Sequence, residues 1–344
     1  MKRRRRSIGA VRPLLAAVAV AGLAGLAGLA GCGSRPEGAG PAAGGVAVTS
    51  GAWTNFSGAR AMEDVKALVG IGPRPSGSER IEKARQHLEK QLKAAGWVTQ
   101  RQEFTATAPV RGPVVFVNVR ARLPVGGDDP WQRRVSTLVG SHYDTKWVTD
   151  FLFSGANDGG SSTGLLLECA RALAAVPQTA GQVELVFLDG EEAFVDFTQP
   201  IGFEDRGFDG LFGSRHYALM LRAQPVEQRP RWFVLFDMIG DRELEVEFPP
   251  NSSLVLIDQA LDAAKALGFA KHFGRGREEM TDDHVPFSWV GLGVIDFIDF
   301  SSYRRAGYWH TDKDTLDKLS PESIEIAGRV GLLFIERLVA SGSR

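Results

Sequence analysis

Two adjacent glutamates follow a mostly apolar run near the middle of the chain. Residues 183–188 are succeeded by Asp189-Gly190-Glu191-Glu192. Adjacent carboxylates repel each other, and each is costly to bury without a cation. A metal ion removes that cost if one carboxylate binds it and the other faces the substrate as a base. An isolated Glu-Glu pair more commonly forms a solvated turn, so this interpretation needs further ligands.

Two other segments supply such ligands. Asp158 lies in the Gly-rich segment 154–160, just before a predicted helix. An aspartate at such a position commonly acts as a helix N-cap, which is the alternative role for Asp158. His310 lies beside the indole of Trp309. Asp158, Glu192 and His310 would make a catalytic Zn²⁺ set that leaves a fourth position open. The three are far apart in the chain, so spacing alone supports this set weakly.

The residues between these motifs show the periodicities of alternating strands and helices. Helical spacing of apolar residues predicts helices over 60–69, 79–95, 161–175, 214–221, 254–267 and 321–339. Alternating or continuous apolar runs predict strands over 98–106, 114–123, 136–140, 183–188, 232–236 and 293–297. The pattern predicts a single α/β domain with a central mixed, mainly parallel twisted sheet covered by helices on both faces. The first two strands form its antiparallel edge.

Polar side chains follow several of the predicted strands. His142, the pair Glu191 and Glu192, and Asp237 each come directly after one. In open α/β sheets, ligands bind in the crevice beyond the carboxyl ends of the strands. We therefore expect these side chains to converge.

Several motifs also occur in a characteristic order. They are His142–Lys146, Gly155–Asp158, Phe187–Phe194, Gly213–His216, Asp237–Gly240, Asp282–Phe287 and Trp309–Thr311. Together they resemble the glutaminyl-peptide cyclotransferases of animals and their bacterial relatives, a family that shares its fold with zinc aminopeptidases. The resemblance runs from about Ala52 to the C-terminus. Several motifs in order are more specific than any one of them.

The resemblance implies a role for each matching residue. The implied ligands of a single Zn²⁺ are Asp158, Glu192 and His310. The implied catalytic residues are Glu191, as general acid/base, and Asp237 and Asp282, hydrogen-bonded to each other near the substrate amide. The implied substrate-binding residues are Trp309, Lys146 at the pocket edge, and Phe197 in place of a pocket tryptophan. His216 and His284 are interpreted as structural.

Three functions remain open. The first is a zinc-dependent cyclotransferase that converts N-terminal glutamine to pyroglutamate and releases ammonia. The second is a two-zinc aminopeptidase, because His142 and Asp237 match the positions that hold a second metal in those relatives. The third is a non-catalytic peptide-binding lipoprotein. The chain lacks the cysteine pair of the animal enzymes, with Ser141 at one position, and its 196–211 loop is longer, which affects substrate preference more than metal binding.

The N-terminus has the pattern of an export signal. Five basic residues within 1–6 precede an apolar stretch over 14–30, which is short for a membrane span. Leu29-Ala30-Gly31-Cys32 resembles a bacterial lipobox. We predict a lipoprotein signal peptide over 1–31, a flexible tether over 32–51 anchored by lipid on Cys32, and a catalytic domain over 52–344. An ordinary signal cut near Ala30, or a transmembrane anchor, is the alternative.

The net charge and the cysteine count limit the kinds of partner and cross-link that this chain can have. Removing the six basic residues of the signal leaves 34 basic against 41 acidic side chains, a net charge of −7, which argues against nucleic acid. Only Cys32 and Cys169 are present, so no disulfide framework is expected. We expect a monomer that is exported to the bacterial cell envelope, held at the membrane by its lipid, and acts on peptide or protein N-termini.

Overall fold

The computed structural model describes residues 51–127, 129–197 and 209–342. The predicted signal peptide, Cys32, most of the tether and most of the 196–211 loop lie outside these ranges. None of the described helices combines the length and apolar character that crossing a bilayer requires.

Strands and helices alternate through the described chain. The strands are β1 (Val98–Ala108), β2 (Gly112–Arg122), β3 (Thr137–His142), β4 (Val183–Leu188), β5 (Trp232–Asp237), β6 (Val246–Phe248), β7 (Phe273–Arg275) and β8 (Gly293–Ile298). The helices are α1 (Ala52–Asn55), α2 (Gly58–Ile71), α3 (Glu79–Ala94), α4 (Ser162–Ala174), α5 (Pro177–Ala180), α6 (Phe212–Arg222), α7 (Leu254–Ala266), α8 (His284–Ser288), α9 (Phe300–Ala306) and α10 (Pro321–Gly342).

A six-stranded mixed sheet forms the centre of the fold, with strand order β1-β2-β4-β3-β5-β8. The pairs β1–β2 and β2–β4 are antiparallel, whereas β4, β3, β5 and β8 run parallel. The predicted fold class, including its antiparallel edge hairpin, is confirmed. A separate small sheet pairs β6 with β7.

Both faces of the sheet are covered, because successive strand residues point to opposite sides. On one face, Val139, Leu185 and Val234 pack in a cluster that contains residues of α2, α4 and α10. On the other face, Leu138, Val186 and Phe233 pack with residues of α6 and α8. Strands buried on both faces read as nearly continuous apolar runs, which explains the sequence pattern of β4 and β5.

The carboxylate at the end of β4 anchors the turn that follows it. Asp189 is fully buried and accepts hydrogen bonds from Ser76 Oγ at 2.6 Å, Arg85 Nη2 at 2.6 Å and the Val117 N–H at 2.8 Å. Its oxygens are therefore committed to the scaffold. Of the acidic run, only Glu191 and Glu192 remain for chemistry.

The short elements were not predicted. The helices α8 and α9 and the strands β6 and β7 are three to seven residues long, too short to show a period in the sequence. The helix predicted over 161–175 corresponds to α4 and is preceded by a wide π-type turn over Ala156–Ser161. That turn carries Asp158 to the crevice.

Candidate active site

The predicted metal ligands Asp158, Glu192 and His310 lie together at the carboxyl edge of the parallel strands. His310 Nε2 is 3.4 Å from Asp158 Oδ2 and 3.3 Å from Glu192 Oε2. Tetrahedral zinc with ligands at about 2.0–2.2 Å separates neighbouring ligand atoms by about 3.3–3.6 Å. The three side chains are thus spaced as ligands of one ion.

The environment of this triad also fits a cation. Asp158 Oδ2 and both Glu192 carboxylate oxygens are buried and have no hydrogen-bond partner among the described residues. Burial opposes a charge on His310, but Glu192 and Asp158 outweigh it and raise the pKa of its imidazole to about 10. Buried carboxylates are costly unless a cation compensates them. The donor set therefore fits Zn²⁺ in both geometry and charge.

Asp158 is held by a second, buried aspartate. Asp314 accepts hydrogen bonds from the backbone N–H of Asn157 at 2.8 Å and from that of Asp158 at 3.2 Å. The Asn157 side chain accepts one from the Gly240 N–H at 2.8 Å. These bonds fix the wide turn, so that Asp158 presents its carboxylate to His310.

Asp144 plays the corresponding role for the glutamate pair. Its two oxygens accept hydrogen bonds from the N–H of Glu191 at 3.2 Å and of Glu192 at 3.3 Å. Gly159 lets the two loops approach, because a Cβ there, at φ +69°, would lie 2.8 Å from the Asp144 carbonyl oxygen. Sequence reasoning gave no role to Asp144 or Asp314, although Asp144 lies within the motif His142–Lys146 and Asp314 closely follows Trp309–Thr311.

Asp158 also belongs to a second group of potential metal ligands, with His142 and Asp237. His142 Nε2 is hydrogen-bonded to Asp237 Oδ1 at 3.1 Å and lies 3.3 Å from Asp158 Oδ1. Asp158 therefore directs one oxygen to His310 and the other to His142. A carboxylate bridging two metal ions would need this arrangement.

Two members of the triad, Asp158 and His310, face a pocket of about 190 Å³. It is lined by Asp158, Glu191, Phe197, Asp237, Met238, Met280, Thr281, Asp282, Ile298, Phe300, Trp309 and His310. The fold thus brings the predicted catalytic residues and two of the predicted substrate-binding residues to one place. The structure records no hydrogen bond between Asp237 and Asp282, and the pairing that the resemblance implies remains a prediction.

Lys146 occupies a different position from the other predicted substrate-binding residues. Its ammonium donates to the Ala193 carbonyl oxygen at 2.9 Å and lies 3.7 Å from Glu192 Oε2. Lys146 is therefore placed beside Glu192, a predicted metal ligand, and does not line the pocket. Its role in substrate binding remains a prediction.

Glu191 faces the pocket without binding the triad. Its side chain is almost fully buried. Burial raises the pKa of its carboxyl well above the ordinary value, His142 offsets part of the rise, and repulsion from Asp282 adds to it. A carboxylate that takes up a proton readily suits general acid/base catalysis near neutral pH.

Aromatic rings form the mouth of the pocket. Trp309, 38% exposed, stacks on His310 with ring centroids 4.2 Å apart and meets the edge of Phe300 at 5.1 Å. His310 has a left-handed backbone, φ +50°, which is uncommon for a residue with a side chain. The conformation turns the imidazole inward and leaves the indole at the entrance.

A third polar cluster adjoins the pocket through Asp282. Asp282, His284 and Asp296 are buried, and His284 Nδ1 is 3.5 Å from Asp296 Oδ2. Burial lowers the pKa of His284 to about 3, whereas burial and then repulsion from Asp282 raise the pKa of Asp296 well above normal. Burial thus disfavours a charge on both His284 and Asp296, which adjoin Asp282 of the pocket wall. Sequence reasoning overlooked Asp296, whose signal was a carboxylate inside the apolar strand β8.

Comparisons with known proteins agree on one family. Residues 118–335 match a family model described as Peptidase family M28. The structure resembles a glutaminyl cyclase from an Acidobacteriales bacterium with a TM-score of 0.73 and 32% identity, covering 88% of this chain and 100% of that one. The glutaminyl-peptide cyclotransferase of Boiga irregularis is 28% identical over 291 residues, 73% of each protein. Aminopeptidase YwaD of Bacillus subtilis is 31% identical over 198 residues, 55% of this chain and 38% of YwaD.

Proposed function

We propose that this chain, which belongs to peptidase family M28 and within it to the glutaminyl cyclases, converts the N-terminal glutamine of peptides to pyroglutamate and releases ammonia. One observation carries the proposal. Asp158 and His310, two members of a triad spaced for a single metal, line the same small pocket as Glu191, a buried carboxylate outside that triad.

Asp158, Glu192 and His310 would hold one zinc ion. A bound zinc would polarise the γ-carbonyl of the substrate glutamine and stabilise the negative charge that develops on its oxygen. The same three residues are expected to orient that carbonyl toward the attacking amine. Asp144 and Asp314 hold the ligands in place through the backbone and so preorganise the site.

Glu191 would move the proton. The neutral α-amine of the substrate attacks the carbonyl carbon of its own γ-carboxamide, forming the ring C–N bond, and Glu191 accepts the proton that the amine loses. Glu191 then returns this proton to the carboxamide nitrogen as the carboxamide C–N bond breaks and ammonia leaves. The nucleophile comes from the substrate, so no serine or cysteine nucleophile is required. Cys169 is fully buried in α4, consistent with a core role.

The remaining pocket residues would orient the substrate. Asp237 and Asp282 offer carboxyl oxygens to the N–H groups of the glutamine, while Trp309 and Phe197 contact its methylenes. A pocket of about 190 Å³ is below the about 300–1,000 Å³ typical of ligand sites. It therefore suits a single residue, as a reaction confined to the N-terminal glutamine requires.

The direct test is incubation with a peptide that begins with glutamine. We expect ammonia release in step with loss of the free N-terminal amine and of one ammonia mass from the peptide. The same peptide with an acetylated α-amine is the matched control, since it lacks the nucleophile. Unreacted peptide at high enzyme concentration and saturating zinc would refute the proposal.

A two-zinc aminopeptidase is the second candidate, because Asp158 faces both His142 and His310. It predicts about two metal ions per chain and release of free amino acids from peptides. The cyclotransferase predicts one zinc and no released amino acid. A protein that binds intact peptides with no measurable turnover would instead support the non-catalytic lipoprotein.

Asp296 provides a test of the buried cluster that adjoins the pocket at Asp282. Asp296→Val should lower kcat about tenfold with little change in KM. This loss is smaller than the factor of about 10²–10⁴ in rate that a direct acid/base group contributes. The substitution removes the polar neighbour of Asp282 and His284. Its loss should also lower the free energy of unfolding by about 1–3 kcal/mol. Asp296→Asn, which keeps a donor of similar size, should restore most of both. Equal loss in the two variants would contradict this positioning role.

We also propose that the chain is exported and held at the cell envelope by lipid on Cys32. The basic start, the apolar stretch and the lipobox-like Leu29–Cys32 support this. In cells that carry the full chain, Cys32→Ala should move the protein from the membrane fraction to the soluble fraction. The proposal would be overturned if the Cys32→Ala variant stayed in the membrane fraction and the native chain incorporated no lipid label.

A further inference from the structure

A cleft of about 560 Å³ adjoins the catalytic pocket at α9. The two cavities share Met280, Ile298 and Phe300 as a common wall. Because the catalytic pocket suits a single residue, the rest of a bound peptide must leave it across one of its walls. The larger cleft lies directly beyond the wall formed by Met280, Ile298 and Phe300.

Charged side chains from three segments line the cleft, and some are already committed. Arg305 forms an ion pair with Glu245, which lies outside the cleft. Glu247 accepts a hydrogen bond from the Ser301 hydroxyl. These groups have partners in the fold and are less available to a ligand.

Two arginines remain available. Arg277 is exposed and makes no ion pair with any residue in the described ranges. Arg304 Nη1 lies 3.9 Å from Glu278 Oε2, with the two side chains 65% and 83% exposed, and such exposed pairs contribute little. The Arg304 guanidinium also lies 5.9 Å from the Phe300 ring centroid, at the wall shared with the pocket.

We propose that this cleft binds the residues that follow the N-terminal glutamine and that Arg277 and Arg304 select a carboxylate there. The inference rests on the proposed function, since it concerns the same substrate. A guanidinium presents a planar fork of donors that matches a carboxylate. The carboxylate is either an acidic side chain in the second or third position or the C-terminus of a short peptide.

The test compares matched peptides on the zinc-loaded enzyme. C-terminally amidated Gln-Glu-Ala-Ala should have a kcat/KM about two- to fivefold above amidated Gln-Gln-Ala-Ala, the range expected of an exposed ion pair. The ratio should fall as salt rises. A second comparison, of Gln-Ala-Ala with a free C-terminus against its amide, measures the effect of the terminal carboxylate alone. It therefore distinguishes recognition of the C-terminus from recognition of an acidic side chain.

The double variant Arg277→Gln/Arg304→Gln should bring these ratios close to one. Arg275→Gln is the matched control, because this exposed β7 arginine pairs with Asp258 and does not line the cleft. Equal wild-type rates on all the glutamine peptides would overturn the inference and leave the proposed function standing. Absence of turnover on every one of them would instead defeat the proposed function. A preference that survives the double variant would place carboxylate recognition elsewhere.

Discussion

Replacing Glu191 with glutamine should abolish most turnover while leaving the zinc content unchanged. The amide has almost the same shape as the carboxylate but cannot accept the proton of the attacking amine. Loss of a general acid/base lowers kcat by about 10²–10⁴. Because Glu191 is not one of the three residues spaced as ligands, the metal set remains complete. Ammonia release measures kcat, and metal analysis of the same preparation measures zinc.

Glu227→Gln is a suitable control for this variant. Glu227 is exposed in a short 3₁₀ turn and does not line the pocket, and its replacement removes the same charge. It should retain both zinc and turnover. If Glu191→Gln turned over glutamine peptides at the wild-type rate with zinc bound, the proton transfer would have to be assigned to another group.

Replacing His310 with alanine should remove zinc and turnover together. Only Asp158 and Glu192 would then remain in the triad, two carboxylates without the imidazole that lies 3.3–3.4 Å from both. Loss of a group that merely supports a ligand typically costs 10–100-fold in metal affinity, so loss of the ligand itself should cost more than about 100-fold. Without the metal, kcat should fall by at least about 10³. Competition with a zinc chelator measures the affinity.

Thermal unfolding gives an independent measure of the same variant. Free zinc at about 1,000 times its dissociation constant should stabilise the wild-type protein by about 4 kcal/mol. His310→Ala should show little of this stabilisation at the same zinc concentration. His216→Ala is the control, since His216 stacks on Phe104 with ring centroids 3.9 Å apart, outside the pocket. A His310→Ala protein with unchanged zinc affinity would mean that other residues hold the metal.

The sheet could be predicted because its strands carry their periodicity locally. β4 and β5 are buried on both faces and therefore read as apolar runs, and the residues that follow parallel strands meet at one edge of the sheet. This topology brought His142, Glu192 and Asp237 together as expected. It could not identify the metal ligands, since Asp158 and His310 lie on turns far apart in the chain. Their assignment depended on the order of the motifs.

The supporting residues could not be predicted for a different reason. Asp144 and Asp314 act through hydrogen bonds to backbone groups, which leave no pattern in side-chain types. Asp296 lies in a strand, and only the tertiary packing of β8 against α8 places it beside His284. The cleft depends on α9, β6 and β7, elements too short to show a period. Its arginines are thus recognisable only in the fold.

The most direct test of the central claim is anomalous diffraction at the zinc absorption edge from crystals of the zinc-loaded protein. We predict one strong peak within bonding distance of Asp158, Glu192 and His310, with Glu191 next to the ion but not bound to it. A peak at Asp282, His284 and Asp296, or no peak at the first triad, would contradict the account. A second peak between His142 and Asp237 would favour the aminopeptidase.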